Sequence, residues 1–503
     1  MLSIETDQPV VPPGVPPGWT VVASRLLSIL FLIVAVEALF SVPKLTGDLA
    51  GGGGVPSIAL GAAIAATAVA GLWAGRRRLA ALLQAAGERL AAIPRRRWLA
   101  IMIAAGLALR IAWILLFHAS FASDGRSYYD LAARLAQGLT YQTRHGERAF
   151  WPPGYPFLLL VHFKVLGVGL LAVVTANLLL FAGTVLVTYP LAQRFGEGTA
   201  RLATLLLVLW PNLIASAGVA IKEMILVFLL PAILLLYLQA GERRSWRGAA
   251  MRLSAGLLLG YATLTQPGMM LLAGVFLAYE ILLRTPILQT AGRLALLGLG
   301  IGLVILPWTW RNHQVLDAPV LVSTNGGEAF YLANNPRAMG GWMENGERSL
   351  RGYDELTRDR LGYQWGKEWI RQNPDKFLLL ILKKQIFFLG DDSIGLYESK
   401  RGGRIGGGFY ALAKLVTNAW WWGICALMLA ACLVHRTTPW HRRAEVVLFL
   451  LTVLYFWAID SIFVSGGRHH MPLAAVVAIL AAAAGVSLGN RPAPRADSLI
   501  PGP

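Results

Sequence analysis

Ten apolar runs of about 20 residues recur along the chain, and nothing else in the sequence constrains its fold as strongly. They lie near 22–40, 56–74, 99–118, 170–192, 199–217, 222–240, 293–309, 410–434, 445–464 and 471–487. Wound into helices, runs of that length match the hydrocarbon thickness of a bilayer. The stretch 253–283 is apolar too, but Gln266-Pro267-Gly268 interrupts it, so it reads as two short helices or a re-entrant pair. Mean hydropathy is +0.56 and only 14% of residues are charged, against about 25% in soluble domains. The sequence predicts an all-α, polytopic transmembrane protein with about twelve membrane segments.

A formal net charge of +18 suggests nucleic acid until the charges are mapped. Seven arginines and one glutamate fall between 76 and 97, and four arginines and one glutamate between 241 and 252. Further arginines sit at 284, 293, 436, 442, 443, 491 and 495. The two long polar regions are nearly balanced: 311–375 holds eight Lys/Arg against nine Asp/Glu, and 118–154 four against three. Excess positive charge marks cytoplasmic loops. One orientation satisfies every basic segment: both termini inside, both long loops outside, the latter spanning 118–154 and 311–409. The charge is topological, and nucleic-acid binding is discarded.

Residues 1–98 read as an added module with two spans, a GGGG linker at 51–54 and an Arg-rich cytoplasmic segment that is partly an interfacial helix. Residues 99–487 form the main transmembrane domain, and 488–503 a cytoplasmic tail. The first apolar run reads as a retained span, since residues 1–20 are Pro-rich and lack a cleavable leader's pattern. KFLLLILKKQIFFLG (376–390) is too short and basic to span, so it predicts a helix near the outer surface; GDDSIGLYESKRGGRIGGG (390–408) predicts a mobile loop bordering a site. Cys425 and Cys432 fall in one span and read as packing residues.

Four polar stretches fall on the external side at membrane level. In SDGRSYYDLAARLAQG (123–138), Tyr128, Leu131, Ala132 and Leu135 share a helical face, and Asp124 stands at the mouth of the preceding span. Asp124 either caps that helix or faces an external cavity. In AFWPPGYPF (149–157) the prolines fix an extended turn, and Trp151 and Tyr155 offer an aromatic wall for an isoprenoid chain or a sugar ring. Lys222 and Glu223 begin another span. Glu223 suits the helix dipole, whereas Lys222 opposes it and is better explained by an anion such as a phosphate. Arg468, His469 and His470 begin the last span, where they either anchor it or hold a phosphodiester. Trp310, Arg311 and Asn312 end the 293–309 span on the same side. One acid, several cations and aromatic walls suit a lipid-phosphate substrate: cations hold the phosphate, and the acid takes a proton from an acceptor. No Walker loop or dinucleotide fingerprint is visible.

With these motifs in hand, the chain over roughly 99–485 resembles the GT-C glycosyltransferases. In particular it resembles the bacterial relatives of protein O-mannosyltransferases and of the lipid A aminoarabinose and galacturonic acid transferases. The resemblance rests on SDGRSYYDLAARLAQG, FWPPGYPFLLLVHFKVLG, the Lys222-Glu223 helix start, LTQPGM and TNGGEAFYLANNPRAMGGW. It implies an inverting transferase of the bacterial inner membrane that takes sugar from a polyprenyl-phosphate donor to an acceptor hydroxyl on a lipid, glycan or protein. Asp124 matches the catalytic acid of the first external loop, acting as general base. Lys222, Arg468 and His469 match polar positions near the donor phosphate, Arg311 joins them, and Tyr128, Trp151, Tyr155 and Glu223 would contact substrate. Many members carry an adjacent acidic pair where this chain has Asp124-Gly125. A divalent metal would then lack one ligand unless Glu223 replaced it. A transporter would place charges at mid-membrane and show inverted repeats; a lipid-linked glycan polymerase or ligase would share the cations; a structural subunit would leave Lys222 and the Arg468 cluster unexplained.

Overall fold

The computed structural model describes residues 55–117, 121, 123–243, 245–401, 405–434 and 444–489. The expected span at 22–40 and the tail beyond 489 lie outside the described residues. Within them the chain is helical and without strands. In chain order the α-helices are α1 (Val55–Ala91), α2 (Arg95–Leu116), α3 (Ser123–Ala136), α4 (Gly154–Leu166), α5 (Leu170–Gln193), α6 (Glu197–Val208), α7 (Pro211–Ala215), α8 (Glu223–Gly241), α9 (Trp246–Thr265), α10 (Leu272–Leu282), α11 (Ile287–Leu316), α12 (Gly326–Ala333), α13 (Glu355–Gln372), α14 (Pro374–Leu389), α15 (Ile394–Arg401), α16 (Gly407–Val434), α17 (Ala444–Ile462) and α18 (Ala474–Gly489).

Six helical segments among the described residues are long and apolar enough to cross a membrane: α2, α5, α8, α11, α17 and Gly467–Val486. A seventh arises if α6 and Pro211–Gly218, bent by 49° at Trp210-Pro211, count as one span. The protein is an integral membrane protein of helical bundle form. The expected twelve segments are not reached by this criterion. Between α9 and α10, the Gln266-Pro267-Gly268 break becomes a 3-10 turn, Pro267–Leu271, giving the expected pair of helices. The apolar run at 56–74 and the arginines after it differ from expectation. No helix breaker separates them, and α1 continues through both for 37 residues, packing on α6 and α18.

At the centre stands α8, apolar on every side and buried on every side. It packs against α5, α9 and the 3-10 turn Gly467–Leu473 that leads into α18. Its Pro231, like Pro190 of α5 and Pro307 of α11, lies inside a helix and is tolerated because neighbouring helices supply the packing. Outside the bundle, α12 and α13 pack closely on each other and α14 leans on α17. Leu378, Leu379, Leu382 and Ile386 of α14 stay exposed, as a helix lying on the outer surface requires. The expected mobile loop at 390–408 is instead partly ordered. Residues 394–401 form α15, whose Gly395 lies so close to Ser216 that a Cβ would meet its backbone nitrogen at 2.5 Å. Cys425 is buried.

Candidate active site

The residues that the sequence singles out lie at one end of the bundle, where α8 begins and α17 ends. Asp124 stands in the first turn of α3. Its carboxylate accepts a 2.6 Å hydrogen bond from the Arg468 guanidinium and a longer one, 3.4 Å, from Ser123 Oγ. Its recorded bonds go to these side chains and not to the backbone amides of a helix start, so capping does not account for it. Glu223 opens α8, 1% exposed, with one oxygen 3.6 Å from Arg468 Nε. Neither carboxylate oxygen of Glu223 has a hydrogen-bond partner among the described residues. Burying a carboxylate without hydrogen-bond partners is costly, and the Arg468 charge beside it offsets part of that cost.

Electrostatics separate these groups. Burial pushes the Asp124 carboxyl up, but the charge and hydrogen bond of Arg468, with lesser help from Lys222 and Ser123, outweigh it and hold the group below 3.8. Burial pushes the Lys222 ammonium below 10.5 and Arg468 adds to the fall, while Glu223 and Asp124 oppose it. In the same cavity, burial pushes the Glu398 carboxyl above 4.5 against the opposing charges of Arg401 and Arg468. Two carboxyl groups in one cleft are thus driven in opposite directions.

The cavity holds about 960 Å³. Asp124, Arg468 and His469 line it, together with Trp342, Tyr397, Glu398, Arg401 and Lys414. His469 is turned toward Asp460 of α17 at 2.6 Å. Two residues after Arg468, buried His470 contacts the Phe388 carbonyl and Asp392 and lies flat on Trp421 at 4.3 Å. Asp392 in turn accepts from Trp210 Nε1 at 2.6 Å and from Asn212. Gly467 is required at its place, since a Cβ there would meet the Asp391 carbonyl oxygen at 1.6 Å.

Other expected residues stand behind the cavity. Tyr128 packs edge-on against Trp151 and Tyr155 at 5.3 and 5.7 Å, and these rings form a buried backing for α3. The hydroxyls of Tyr128 and Tyr155 have no partner among the described residues. Arg311 is placed elsewhere. It donates to the carbonyls of Arg148 (2.7 Å) and Tyr141 (3.0 Å) and lies over the Trp308 ring at 4.6 Å, tying the segment before α4 to α11. The sequence reading missed Glu398, Arg401, Lys414, Trp342 and Asp391. For Asp391, Glu398 and Arg401 the signal was the crowding of charge in DDSIGLYESKRGGR, read only as a bordering loop; Trp342 and Lys414 lie outside that segment.

Gly125 explains the missing second acid. A Cβ on it would sit 2.7 Å from the Ala220 carbonyl oxygen, so α3 meets the start of α8 only with glycine there. Among the described residues no three His, Cys, Asp or Glu gather as a metal-ligand set. Arg468 pairs with both Asp124 and Glu223.

No protein-family model matches the chain, and no curated protein does. Solved structures similar to it include an Archaeoglobus fulgidus oligosaccharyltransferase in complex with Zn and sulfate, at 16% identity and TM-score 0.47, over 77% of this chain and 48% of that one. Another is ArnT from Cupriavidus metallidurans bound to undecaprenyl phosphate, at 15% identity and TM-score 0.41, over 78% of each chain. A third is archaeal oligosaccharyltransferase AglB from Archaeoglobus fulgidus with an inhibitory peptide and a dolichol-phosphate, at 13% identity and TM-score 0.46, over 78% and 50%. This chain spans about half the length of the archaeal oligosaccharyltransferases it matches.

Proposed function

We propose that the protein is a membrane glycosyltransferase that moves a sugar from a polyprenyl-phosphate donor to an acceptor hydroxyl, with inversion. One observation carries this reading: Asp124, Arg468, Lys222 and buried Glu223 meet at the helix ends beside a cavity large enough for a sugar and a phosphate. The isoprenoid tail stays in lipid while the headgroup enters the cavity. The donor phosphate draws the Arg468 guanidinium and the Lys222 ammonium toward itself. As Arg468 turns to the phosphate, Asp124 loses part of the charge that holds its proton affinity down, and becomes a stronger base. Asp124 then takes the acceptor's proton, and the acceptor oxygen attacks the anomeric carbon from the face opposite the phosphate. The bond between that carbon and the phosphate oxygen breaks, and the charge on the departing phosphate is offset by Arg468 and Lys222. Glu398, on the cavity wall, is placed to hydrogen-bond a sugar hydroxyl.

In this reading the cavity faces the periplasm, the termini are cytoplasmic, and the membrane is the bacterial inner membrane, a reading supported by Arg243, Arg252, Arg284 and Arg293, which lie at the other end of the bundle. Residues 99–487 form the catalytic unit, with 1–98 appended. The test compares lipid-linked sugars and envelope glycans by mass spectrometry in cells expressing wild type or Asp124→Asn at equal levels. The expected result is one accumulated polyprenyl-phosphate sugar and one glycan lacking that residue. Identical profiles would discard the transferase and favour a transporter.

A further inference from the structure

A second cavity, of about 750 Å³, opens at the opposite end of the bundle. It lies where α8 and α10 end and where α9, α11 and α17 begin. With 19 residues, α8 separates it from Glu223 by about 28 Å at 1.5 Å per residue, close to the hydrocarbon thickness of a bilayer. When Asp124 lies at one headgroup level, this cavity lies at the other. That placement comes from helix length alone and is independent of the transferase reading.

Five arginines line the cavity, at 194, 243, 252, 284 and 293, against three glutamates, at 242, 280 and 445. All three acids are already held by arginine. Glu280 takes Arg293 at 2.6 Å, along with Tyr237 (2.7 Å) and Thr285 (2.6 Å). Glu242 and Glu445 share Arg194, at 2.5 and 2.9 Å. Positive charge is left over. Arg252 donates to the Ala240 carbonyl at 2.8 Å, within reach of the like charge of Arg293. The exposed Arg284 side chain has no ion-pair partner among the described residues. Two guanidiniums beside a third already used by Glu280 call for an anion with several oxygens, and guanidinium binds phosphate oxygens in bidentate fashion.

The segments that line this cavity also carry exposed apolar side chains next in sequence to the lining residues. Ile281 is 62% exposed, Ile287 83%, Leu288 84% and Trp246 75%. Large apolar side chains left open beside an Arg-rich cleft at a helix end suit an acyl chain running alongside while its headgroup sits inward. A soluble anion would make no use of them.

We propose that this second cavity binds the phosphate of an anionic phospholipid headgroup, in the leaflet opposite the Asp124 site, with Arg252 and Arg284 as its principal contacts. The lipid would close the junction of five helices at an end where the helices offer uncompensated charge.

The test uses the full-length protein, stripped of lipid in a neutral detergent and titrated separately with phosphatidylglycerol, phosphatidylcholine and inorganic phosphate, with bound adducts counted by native mass spectrometry. Phosphatidylglycerol is expected to bind more tightly than phosphatidylcholine. In the double variant Arg252→Gln with Arg284→Gln its dissociation constant should rise about 30-fold, roughly fivefold for each arginine beside an anionic lipid. Arg284→Gln alone, at an exposed and unpaired position, should show a smaller rise with the fold untouched. Removing the same charge far away, in Lys367→Gln with Arg371→Gln, should change nothing. Phosphate binding that the double variant loses, without any preference among lipids, would overturn the lipid and leave a soluble phosphate ligand. Equal phosphatidylglycerol binding by wild type and double variant would overturn the proposal.

Discussion

At the residue scale, the arrangement of Asp124, Arg468, Lys222 and Glu223 sets a charge balance that pH can probe. Burial lowers the proton affinity of Lys222, so its ammonium is lost at a lower pH than a free lysine's. Transfer that needs this cation should therefore fall on an alkaline limb lying below pH 10.5. Lys222→Arg keeps a charge through that range, and should move the limb to higher pH even if its maximal rate is lower. A pH–rate profile of both proteins is the check. Asp124, Lys222, Arg468 and His469 were legible as single residues because each is ionisable at the end of an apolar run, where such groups are expensive. Their mutual distances were not legible. Asp124 and Arg468 are 344 positions apart and meet only because the last span returns beside α3. Arg311 carries the same kind of signal as Arg468, yet its donors are consumed by backbone carbonyls. A sequence shows the charge of an arginine and not what it is already bonded to.

At the element scale, the site depends on close approaches between helices. Gly125 lets α3 touch the Ala220 carbonyl, and the contact aligns Asp124 with Lys222 two residues beyond it. Gly125→Ala should push α3 away, lower the thermal midpoint in detergent by an amount matching about 1–3 kcal/mol of overpacking, and reduce transfer more than carrier binding. Thermal melting and a turnover assay test the two parts. The helix positions were readable where an apolar run has clear ends. Residues 222–240 became Glu223–Gly241, and the Gln266-Pro267-Gly268 break fell where proline removes a helical donor. Two elements were not readable. Nothing between 56–74 and the following arginines stops a helix, so α1 runs through both. The DDSIGLYESK segment looks like a loop by composition, but its docking against α7 and the Asn212–Asp392 contact make part of it a helix. Long-range packing overrides local composition in that segment.

At the scale of the whole molecule, two polar cavities occupy opposite ends of a bundle whose central helices have about the length of a bilayer's hydrocarbon core. Their charge differs in kind: one mixes four carboxylates with cations, the other is dominated by arginine. The proposed orientation predicts opposite accessibility for the exposed positions 145 and 245. In cells with a permeabilised outer membrane, His145→Cys should react with an impermeant maleimide and Ser245→Cys should react only after lysis. The reverse pattern would turn the bundle over and place the Asp124 cavity in the cytoplasm.

The most direct test of glycosyl transfer at Asp124 uses the purified protein in proteoliposomes, supplied with polyprenyl-phosphate sugars and envelope acceptors extracted from the host. Released sugar-free polyprenyl phosphate is followed together with sugar gained by the acceptor. Wild type should produce the two in equal amounts, and Asp124→Asn should do so about 10²–10⁴-fold more slowly while still binding the carrier lipid. Equal rates from wild type and Asp124→Asn would contradict the assignment of Asp124 as the base.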